Sequence, residues 1–527
     1  MWNKQWREDI WNRLSEPWDL LVIGGGITGA GVLRQAVQAG LKTLLVEAQD
    51  FSYGTSSKSS KMIHGGFRYL ANKQYSVTRE SVREREWMLK EAPGLVLPIG
   101  FYLPVYSSYS LSLSAFHQGV IIYDLLAPKW DHRKVNSASL CTIFPGLNAE
   151  GLQGGMLYFD AGMDDSRLVI RVLHEACREG GAALNYTRAE SLLRRSDGTV
   201  CGAVLRSADG GAAEVQAKVV INACGPWSDE LRAEVGGEGH IRKLRGSHLI
   251  FSRERFPARE AVTLLHPRDR RSLFVLPFEG TTLVGTTDLD HPKAMEEKAA
   301  EPFATGEEIA YLLEAVNFLF PSLALGSGDI LSTFSGIRPT LRNGSGDAPS
   351  KVSRRHALYQ ENGLITITGG KYTIFRIMAR QTVEAALTQM GRSPSFPKRR
   401  IFDKVDFNTL TSLDPRSALY LGSRHGADTP ALLAAARDGE MEVIQPLQNT
   451  WAELRWAARE EGVLHLSDLL LRRVRLGLLL PDGAHGVMDR VRDIVQPELG
   501  WDDPAWEREL TDYRSTWQKY YSPKPNP

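Results

Sequence analysis

The sequence has few cysteines, no long apolar run and almost no net charge. The four cysteines among its 527 residues form no CxxC pair, which argues against a zinc or disulfide framework and predicts small buried thiols in a reducing compartment. No stretch of about 18 apolar residues occurs, so no membrane-spanning helix is expected, and the charged N-terminus lacks the apolar core of a signal peptide. A formal charge of +1 argues against binding to nucleic acid through a strongly basic surface.

The length of the chain exceeds that of one ordinary domain, so two or three domains are expected. Hydrophobic content of 43% and charged content of 24% are typical of a soluble globular protein. Prolines and basic residues cluster at 390–400, and the sequence beyond them is helical in pattern and rich in Leu, Arg and Ala. This break predicts a separate C-terminal helical domain.

A glycine-rich turn lies between a predicted strand and a predicted helix near the N-terminus. Gly24, Gly26 and Gly29 follow an apolar strand and open a helix, and Glu47 ends the next predicted strand. The glycines let the backbone approach a pyrophosphate, and the helix N-terminus offers it free N–H groups. Glu47 is suited to accept hydrogen bonds from an adenosine ribose. The pattern favours a dinucleotide-binding βαβ unit over a glycine turn without a ligand.

Two later predicted strands also end in glycine, at 222–225 and at 368–370. Both junctions suit a further approach of the backbone to a long cofactor. They favour FAD over NAD, because a flavin must be held over a substrate pocket by chain segments that return from far away. Spacing alone leaves both cofactors open.

Residues 54–70 read GTSSKSSKMIHGGFRYL and bring five hydroxyl side chains, two lysines, a histidine and an arginine into seventeen positions. Such a segment does not suit a buried core, because its polar groups would need partners. We therefore expect it to contact a bound, highly polar ligand.

Several motifs occur together in one order: GGGITGAG, VEAQDF, TSSKSSKMIHGGFRYL, NACGPW, RGSHLIF, VGTTD, SGIRP and TGGKYT. By these motifs the chain resembles the respiratory FAD-dependent glycerol-3-phosphate dehydrogenases, a family within the amino-acid-oxidase-like flavoproteins. The resemblance covers residues 18–385, and the late LLLRRVRLGL stretch resembles the family's C-terminal helical domain. The family often has leucine where Phe67 stands and threonine where Cys224 stands, and both changes are mild.

The resemblance implies an α/β fold, with a Rossmann-like FAD-binding domain, an antiparallel-sheet substrate domain and a C-terminal helical domain. The expected boundaries are 18–105, 150–238 and 336–390 for the FAD-binding domain, 106–149 and 239–335 for the substrate domain, and 400–522 for the helical domain.

The resemblance also implies FAD as the cofactor. The residues expected to contact it are Gly24, Gly26, Gly29, Glu47, Thr55, Ser56, Ser57, Ser60, Lys61, His64, Gly65, Gly66, Gly225 and Gly370. The backbone around Gly370 is further expected to stabilise charge on the reduced flavin.

The implied substrate is sn-glycerol 3-phosphate, oxidised to dihydroxyacetone phosphate by hydride transfer to FAD. Its phosphate carries about two negative charges, for which guanidinium and ammonium groups are natural partners. The residues expected to line the substrate site are Arg68, Tyr69, Arg338, Arg354 and Lys371. Arg355 adjoins Arg354, and either side chain could face the substrate.

The reaction needs a base near neutral pKa to take the hydroxyl proton, and histidine fits this need. His248 is the favoured base, and Arg338 and Lys371 are expected beside it as catalytic residues. A purely structural role for His248 stays open. His64 is the other candidate, and we expect it to pack along the flavin instead.

The electron acceptor and the partners follow less directly from the sequence. The resemblance implies transfer of electrons to quinone, whereas a glycerol-3-phosphate oxidase would use O₂. An amine or amino-acid oxidase of the same superfold and a non-catalytic FAD-binding protein are the other classes considered. The oligomeric state is open, with a homodimer among the arrangements considered, and no metal and no nucleic-acid partner are expected.

The N-terminus carries an apolar stripe, because Trp2, Trp6, Ile10 and Leu14 recur every four residues. Tryptophans on such a helix suit a membrane interface, and residues 109–126 form a second amphipathic segment. With quinone use, these features predict a cytoplasmic protein peripherally associated with the inner face of the cytoplasmic membrane. The alternative is a terminal helix that packs on its own protein.

Overall fold

Two β-sheets organise the chain, and the burial of their central strands explains why each forms. The computed structural model describes residues 2–3, 5–66, 75–126, 131–298, 301–342 and 355–523. In the first sheet, strands Trp18–Ile23 and Thr43–Val46 are apolar and almost wholly buried, as is typical of parallel strands covered by helices on both faces. Helix Ile27–Gln38 connects them, which confirms the predicted βαβ unit.

The first sheet has eight strands among the described residues, and five of them are parallel. The parallel strands lie in the order Leu364–Gly369, Ala212–Asn222, Trp18–Ile23, Thr43–Val46 and Ala182–Leu184. The antiparallel strands are His356–Glu361, Thr187–Arg194 and Val200–Ser207.

The second sheet is largely antiparallel and has ten strands within the same described part of the chain. They are Met62–Ile63, Val96–Tyr106, Arg133–Val135, Leu152–Met163, Ile241–Ser252, Ala261–Leu265, Ser272–Phe278, Thr281–Gly285, Leu289–Asp290 and Ile330–Leu341.

Four strands of the second sheet lie wholly or partly in ranges expected for the FAD-binding domain, and the short strand Met62–Ile63 is one of them. Val96–Tyr106 and Leu152–Met163 pair with each other in the second sheet, although residues 96–105 and 152–163 were expected in the FAD-binding domain. Ile330–Leu341 likewise pairs along its length with Ile241–Ser252, past the expected boundary at 336. The reason is that strand pairing joins segments far apart in sequence, and no local composition change marks it.

The helices cover the sheets and make up most of the chain beyond residue 400. The α-helices are Trp6–Trp11, Ile27–Gln38, Tyr75–Glu91, Leu113–Leu126, Ser137–Ile143, Asp165–Arg178, Ser228–Glu234, Lys293–Lys298, Gly306–Leu319, Phe375–Gln389, Pro415–His425, Thr429–Ala435, Trp451–Glu460, Leu466–Asp468, Leu476–Leu479, Met488–Leu499 and Asp503–Tyr520, with a π-helical turn at Leu469–Arg473.

The N-terminal tryptophans are buried inside the protein. Trp2 is 2% exposed and packs against Phe51 and His174, with ring centroids 4.8 and 4.4 Å away. The Trp6 indole N–H donates to the carbonyl of Ala183 at 3.1 Å. The packing alternative therefore holds for Trp2 and Trp6, and the expectation that they contact a membrane is wrong.

Two expectations from composition concern membrane spans and cysteines. Within the described ranges, the helices are too short or too polar to cross a bilayer. The four cysteines are free thiols of intermediate exposure, so they are less buried than expected.

The C-terminal helices are docked on the rest of the protein rather than set apart from it. Most of them share one apolar core with the second sheet, and the hydroxyl of Ser332 donates to the carbonyl of Leu478 at 2.7 Å. A buried ion cluster adds to this contact. The Asp50 carboxylate, which lies just after the second parallel strand, accepts hydrogen bonds from Arg472 at 2.5 Å and from Arg473 at 2.8 Å.

Burial alone would raise the pKa of Asp50, but the guanidinium groups of Arg473 and Arg472 outweigh it and lower that pKa to about 2. A carboxyl with a depressed pKa in the folded state stabilises the protein fully above its unfolded value of about 3.9. That contribution is lost as the pH falls from about 4 towards about 2.

We therefore expect Asp50→Asn to destabilise the protein by about 3–5 kcal/mol at pH 7, because it leaves two buried arginines without their carboxylate. Thermal unfolding at several pH values, compared with the exposed control Asp438→Asn, measures this effect. An Asp50→Asn protein that melts like the wild type at pH 7 would contradict it.

Candidate active site

A cavity of about 820 Å³ lies at the carboxyl ends of the central parallel strands. Strands Trp18–Ile23, Ala212–Asn222 and Leu364–Gly369 run in the same direction, so their ends meet at one edge of the sheet. Gly24, Gly225 and Gly370, which follow these ends, all line the cavity. Ligands of open α/β sheets bind at this edge.

The first glycine turn is too tight for any side chain. Gly24 has a φ of +115°, and a Cβ there would lie 2.6 Å from the carbonyl oxygen of Ala223. Gly29 does not line the cavity, but a Cβ there would lie 1.9 Å from the carbonyl oxygen of Gly24. Gly29 therefore shapes the turn from behind, while Gly24 and Gly26 face the cavity.

Glu47 lines the same end of the cavity and is tied to the turn. Its carboxylate accepts the backbone N–H of Gly25 at 2.7 Å and that of Gln49 at 2.9 Å. Burial raises the pKa of Glu47, and these N–H donors act against the rise. The helix that begins at Ile27 directs its N-terminus to this region, so the turn combines a ribose acceptor with an anion site.

The hydroxyl-rich segment, residues 54–61, runs along the cavity, and six of its eight residues line it. Its wall-lining members are Gly54, Thr55, Ser56, Lys58, Ser59 and Ser60. Ser57 and Lys61 were expected to contact the cofactor, but they are buried behind the wall. Thr55–Ser57 form a short 3₁₀ turn within this segment.

Lys61 instead holds the segment in place. Its ammonium group donates to the carbonyl of Ser57 at 2.5 Å and to the Asp165 carboxylate at 2.8 Å. Burial and the charge of Arg475 lower the pKa of Lys61 to about 7, against the pull of Asp165. The Asp165 carboxylate also accepts the backbone N–H of Ser59 at 3.0 Å, so one buried acid organises the back of the segment.

The next segment brings His64 and Gly66 to the wall, while Gly65 faces the interior. A Cβ at Gly65 would lie 2.2 Å from the Tyr123 hydroxyl oxygen, which explains why glycine is needed there. The Gly65 N–H donates to the Asp160 carboxylate at 3.0 Å. Asp160 also accepts from Tyr123 and Arg85, both at 2.7 Å, and therefore fixes the turn after His64.

Cationic side chains lie on another part of the wall. Arg338 donates to the Asp288 carboxylate at 2.9 Å and to the Thr286 hydroxyl at 3.0 Å. Lys371 follows Gly370 on the wall of the same cavity. Arg68, Tyr69 and Arg354 lie outside the described residues, and Arg355 is exposed rather than on the wall.

His248 was expected to act directly as the base, but it does not line the cavity. Its side chain is 1% exposed, stacks on Phe334 with centroids 4.6 Å apart, and lies 2.9 Å from the Ser60 hydroxyl through Nε2. Burial, with the charges of Arg338 and Lys61, holds the pKa of His248 well below its usual 6.5. The neutral imidazole is therefore separated from the cavity by the Ser60 hydroxyl.

Sequence reasoning missed several wall residues, including Lys58, Ser59, Asp160, Arg271 and Tyr372. Lys58 and Ser59 belong to a segment that was singled out, so its polarity was a usable signal. Asp160 and Arg271 lie on or beside strands of the second sheet, and nothing in their local sequence marks them.

The chain is similar to known proteins along nearly its whole length. Residues 19–382 match the family model described as FAD dependent oxidoreductase, and residues 365–505 match that of the C-terminal domain of alpha-glycerophosphate oxidase. The glycerol-3-phosphate dehydrogenase of Mycobacterium leprae is 34% identical over 97% of this chain and 90% of its own length. The aerobic glycerol-3-phosphate dehydrogenase of Staphylococcus epidermidis is 33% identical over 86% of each chain.

Two solved structures have a fold similar to that of this chain. The glycerol-3-phosphate dehydrogenase from Bacillus halodurans complexed with FAD superposes with a TM-score of 0.77 and 28% identity, over 98% of this chain and 97% of its own. Glycine oxidase from Geobacillus kaustophilus superposes with a TM-score of 0.54 and 17% identity, over 73% of this chain and 98% of its own, which shows a shared fold alone.

Proposed function

This chain belongs to the family of FAD-dependent glycerol-3-phosphate dehydrogenases, and we propose that it oxidises sn-glycerol 3-phosphate to dihydroxyacetone phosphate with FAD as its cofactor. The observation that carries the proposal is one cavity that combines the dinucleotide turn at Gly24 with the cationic side chains of Arg338 and Lys371. A phosphate ester needs such cations, and a dinucleotide cofactor needs such a turn.

The wall residues fit FAD. The side-chain-free turn at Gly24 and Gly26 leaves room for a pyrophosphate, and the Glu47 carboxylate is available to ribose hydroxyls. The hydroxyls of Thr55, Ser56 and Ser60 offer further hydrogen bonds along the cavity. When bound, FAD supplies the acceptor for the hydride that leaves C2 of the substrate.

Arg338 and Lys371 are proposed to bind the substrate phosphate. Asp288 holds one nitrogen of the Arg338 guanidinium, and Thr286 holds the other, so the planar group is fixed before substrate arrives. A pre-organised guanidinium loses little freedom on binding and can contact two phosphate oxygens at once.

His248 is proposed to accept the substrate's hydroxyl proton through Ser60. The Ser60 hydroxyl faces the cavity on one side and His248 Nε2 on the other, at 2.9 Å. As the C2–H bond breaks, the C2 hydroxyl proton moves to the Ser60 oxygen, and the Ser60 proton moves to Nε2. The low pKa of His248 keeps the imidazole neutral and ready to accept it.

We propose quinone as the electron acceptor and a membrane surface as the place of transfer. The membrane contact is assigned to the outer face of helix Leu113–Leu126, since Trp2 and Trp6 are buried. Ile122 and Leu125 are 39% and 69% exposed on that helix. The exposed Arg133 and Lys134 lie nearby and suit anionic headgroups.

The proposed reaction predicts that glycerol 3-phosphate bleaches the flavin of the purified protein without oxygen, because hydride transfer leaves reduced FAD. The absorbance spectrum before and after addition measures this. Re-oxidation by a soluble quinone faster than by O₂ is expected for a dehydrogenase, and the reverse would identify an oxidase. Bleaching by an amino acid and not by glycerol 3-phosphate would overturn the proposal.

The proton route predicts that His248→Asn and Ser60→Ala each slow anaerobic flavin reduction by about 10²- to 10⁴-fold at saturating substrate. In the wild type, the rate should stay level from pH 8 to below pH 6.5 and fall only at lower pH, because protonation of His248 blocks it. His485→Asn, at an exposed histidine, is the control. A wild-type rate in both variants would exclude the route.

The membrane assignment predicts that Ile122→Glu with Leu125→Glu weakens binding to vesicles of phosphatidylcholine and phosphatidylglycerol, because charge on this face opposes insertion. Leu419→Glu, at an apolar residue 40% exposed on another helix, is the matched control. Co-sedimentation with vesicles measures the effect. Equal binding by the double variant and the control would refute the assignment.

A further inference from the structure

We propose that Arg271 is a second phosphate-binding guanidinium of this site and that it sets the preference for a phosphate ester over a singly charged acid. This inference rests on the proposed function and extends it to a residue that belongs to none of the sequence motifs. Arg271 lines the cavity, as do Arg338 and Thr286, and immediately precedes the strand Ser272–Phe278.

A tight turn presents Arg271 to the cavity. The backbone N–H of His266 donates to the carbonyl of Arg271 at 2.8 Å, which closes the loop between two strands of the second sheet. The Arg271 guanidinium donates to the carbonyl of Thr286 at 3.0 Å, and its side chain is 15% exposed. The group is therefore held at the wall rather than extended into solvent.

One buried carboxylate joins Arg271 to Arg338. Asp288 Oδ1 lies 2.9 Å from Arg338 Nη1, and Oδ2 lies 3.8 Å from Arg271 Nη2. The Asp288 side chain is wholly buried. One oxygen accepts a hydrogen bond from Arg338 and the other lies within ion-pair distance of Arg271, so both guanidinium groups lie beside the same acid at the cavity wall.

The charge at this place matches a phosphate monoester. Arg271 and Arg338 share the single negative charge of Asp288, and Lys371 adds another positive charge to the wall of the same cavity. These four side chains together carry two net positive charges, which suits the roughly −1.5 to −2 charge of a phosphate monoester near pH 7. A carboxylate substrate would neutralise only one of them.

The competing explanation is that Arg271 only supports the turn that carries Thr286. A structural role of that kind would change the flavin content or the thermal stability when Arg271 is replaced, and it would leave the KM for substrate unchanged. A binding role would raise KM and leave kcat and flavin content nearly as they are.

The test compares Arg271→Gln with Arg271→Lys and with Arg268→Gln, a control at a guanidinium 66% exposed and paired with Glu314. Arg271→Gln is expected to raise the KM for glycerol 3-phosphate by about 10- to 100-fold, the factor for losing one charge-assisted contact. Arg271→Lys should restore part of the lost affinity for substrate, since lysine keeps the positive charge but lacks the paired N–H donors of a guanidinium. Arg268→Gln should match the wild type.

Inorganic phosphate provides a readout that does not depend on turnover. Phosphate binding is followed by the change in the flavin absorbance of the holoenzyme. The phosphate concentration that gives half of this change should be about 10- to 100-fold higher in Arg271→Gln than in the wild type. Unchanged KM and unchanged phosphate affinity in Arg271→Gln would overturn the inference. A wild type that binds phosphate through Arg271 but is not reduced by glycerol 3-phosphate would instead refute the proposed function alone.

Discussion

Two adjacent buried carboxylates at the start of helix Asp165–Arg178 are the constraint on which the cofactor side of the cavity depends. Asp164 lies 2.8 Å from Arg475 and 3.0 Å from Arg424, while Asp165 binds Arg475 and Lys61. Buried carboxylates without such partners are costly, so the C-terminal arginines must be docked before the pair is stable. The C-terminal region is thereby part of the cofactor cradle, because Lys61 and Asp165 hold the hydroxyl-rich segment from behind.

The same device recurs around the cavity, where buried aspartates bound by arginines fix pieces of backbone or other arginines. Asp160 with Arg85 holds the turn at Gly65, and Asp288 orients the guanidinium of Arg338. Apolar burial brings the two sheets together, but it has no direction. Hydrogen-bonded ion pairs are directional, so they determine the positions of the atoms that line the cavity. This division of roles explains why so many charged groups are found inside the protein.

Local sequence was enough to predict site residues where the signals lie within one short segment of the chain. The glycine turn at Gly24 and the acid at Glu47 follow from strand, turn and helix signals a few residues apart, and both are found on the wall. It was insufficient where a side chain could take either of two directions. Lys61 and His248 were expected at the ligand and lie behind it, and the tryptophan stripe at Trp2 packs inward. Exposure depends on what the rest of the chain places opposite each residue.

The sequence by itself determined the dinucleotide turn and the polar segment that follows it, since the residues of each are close together in the chain, and the set of motifs along residues 18–385 indicated the class of fold by resemblance. Only the tertiary structure decided which of those residues face the cavity, and it alone brought Arg271 and Asp288 to Arg338 from separate strands and turns. The physical reason is that strand pairing and buried ion pairs join positions far apart in sequence. Their partners can be recognised only once the chain has folded.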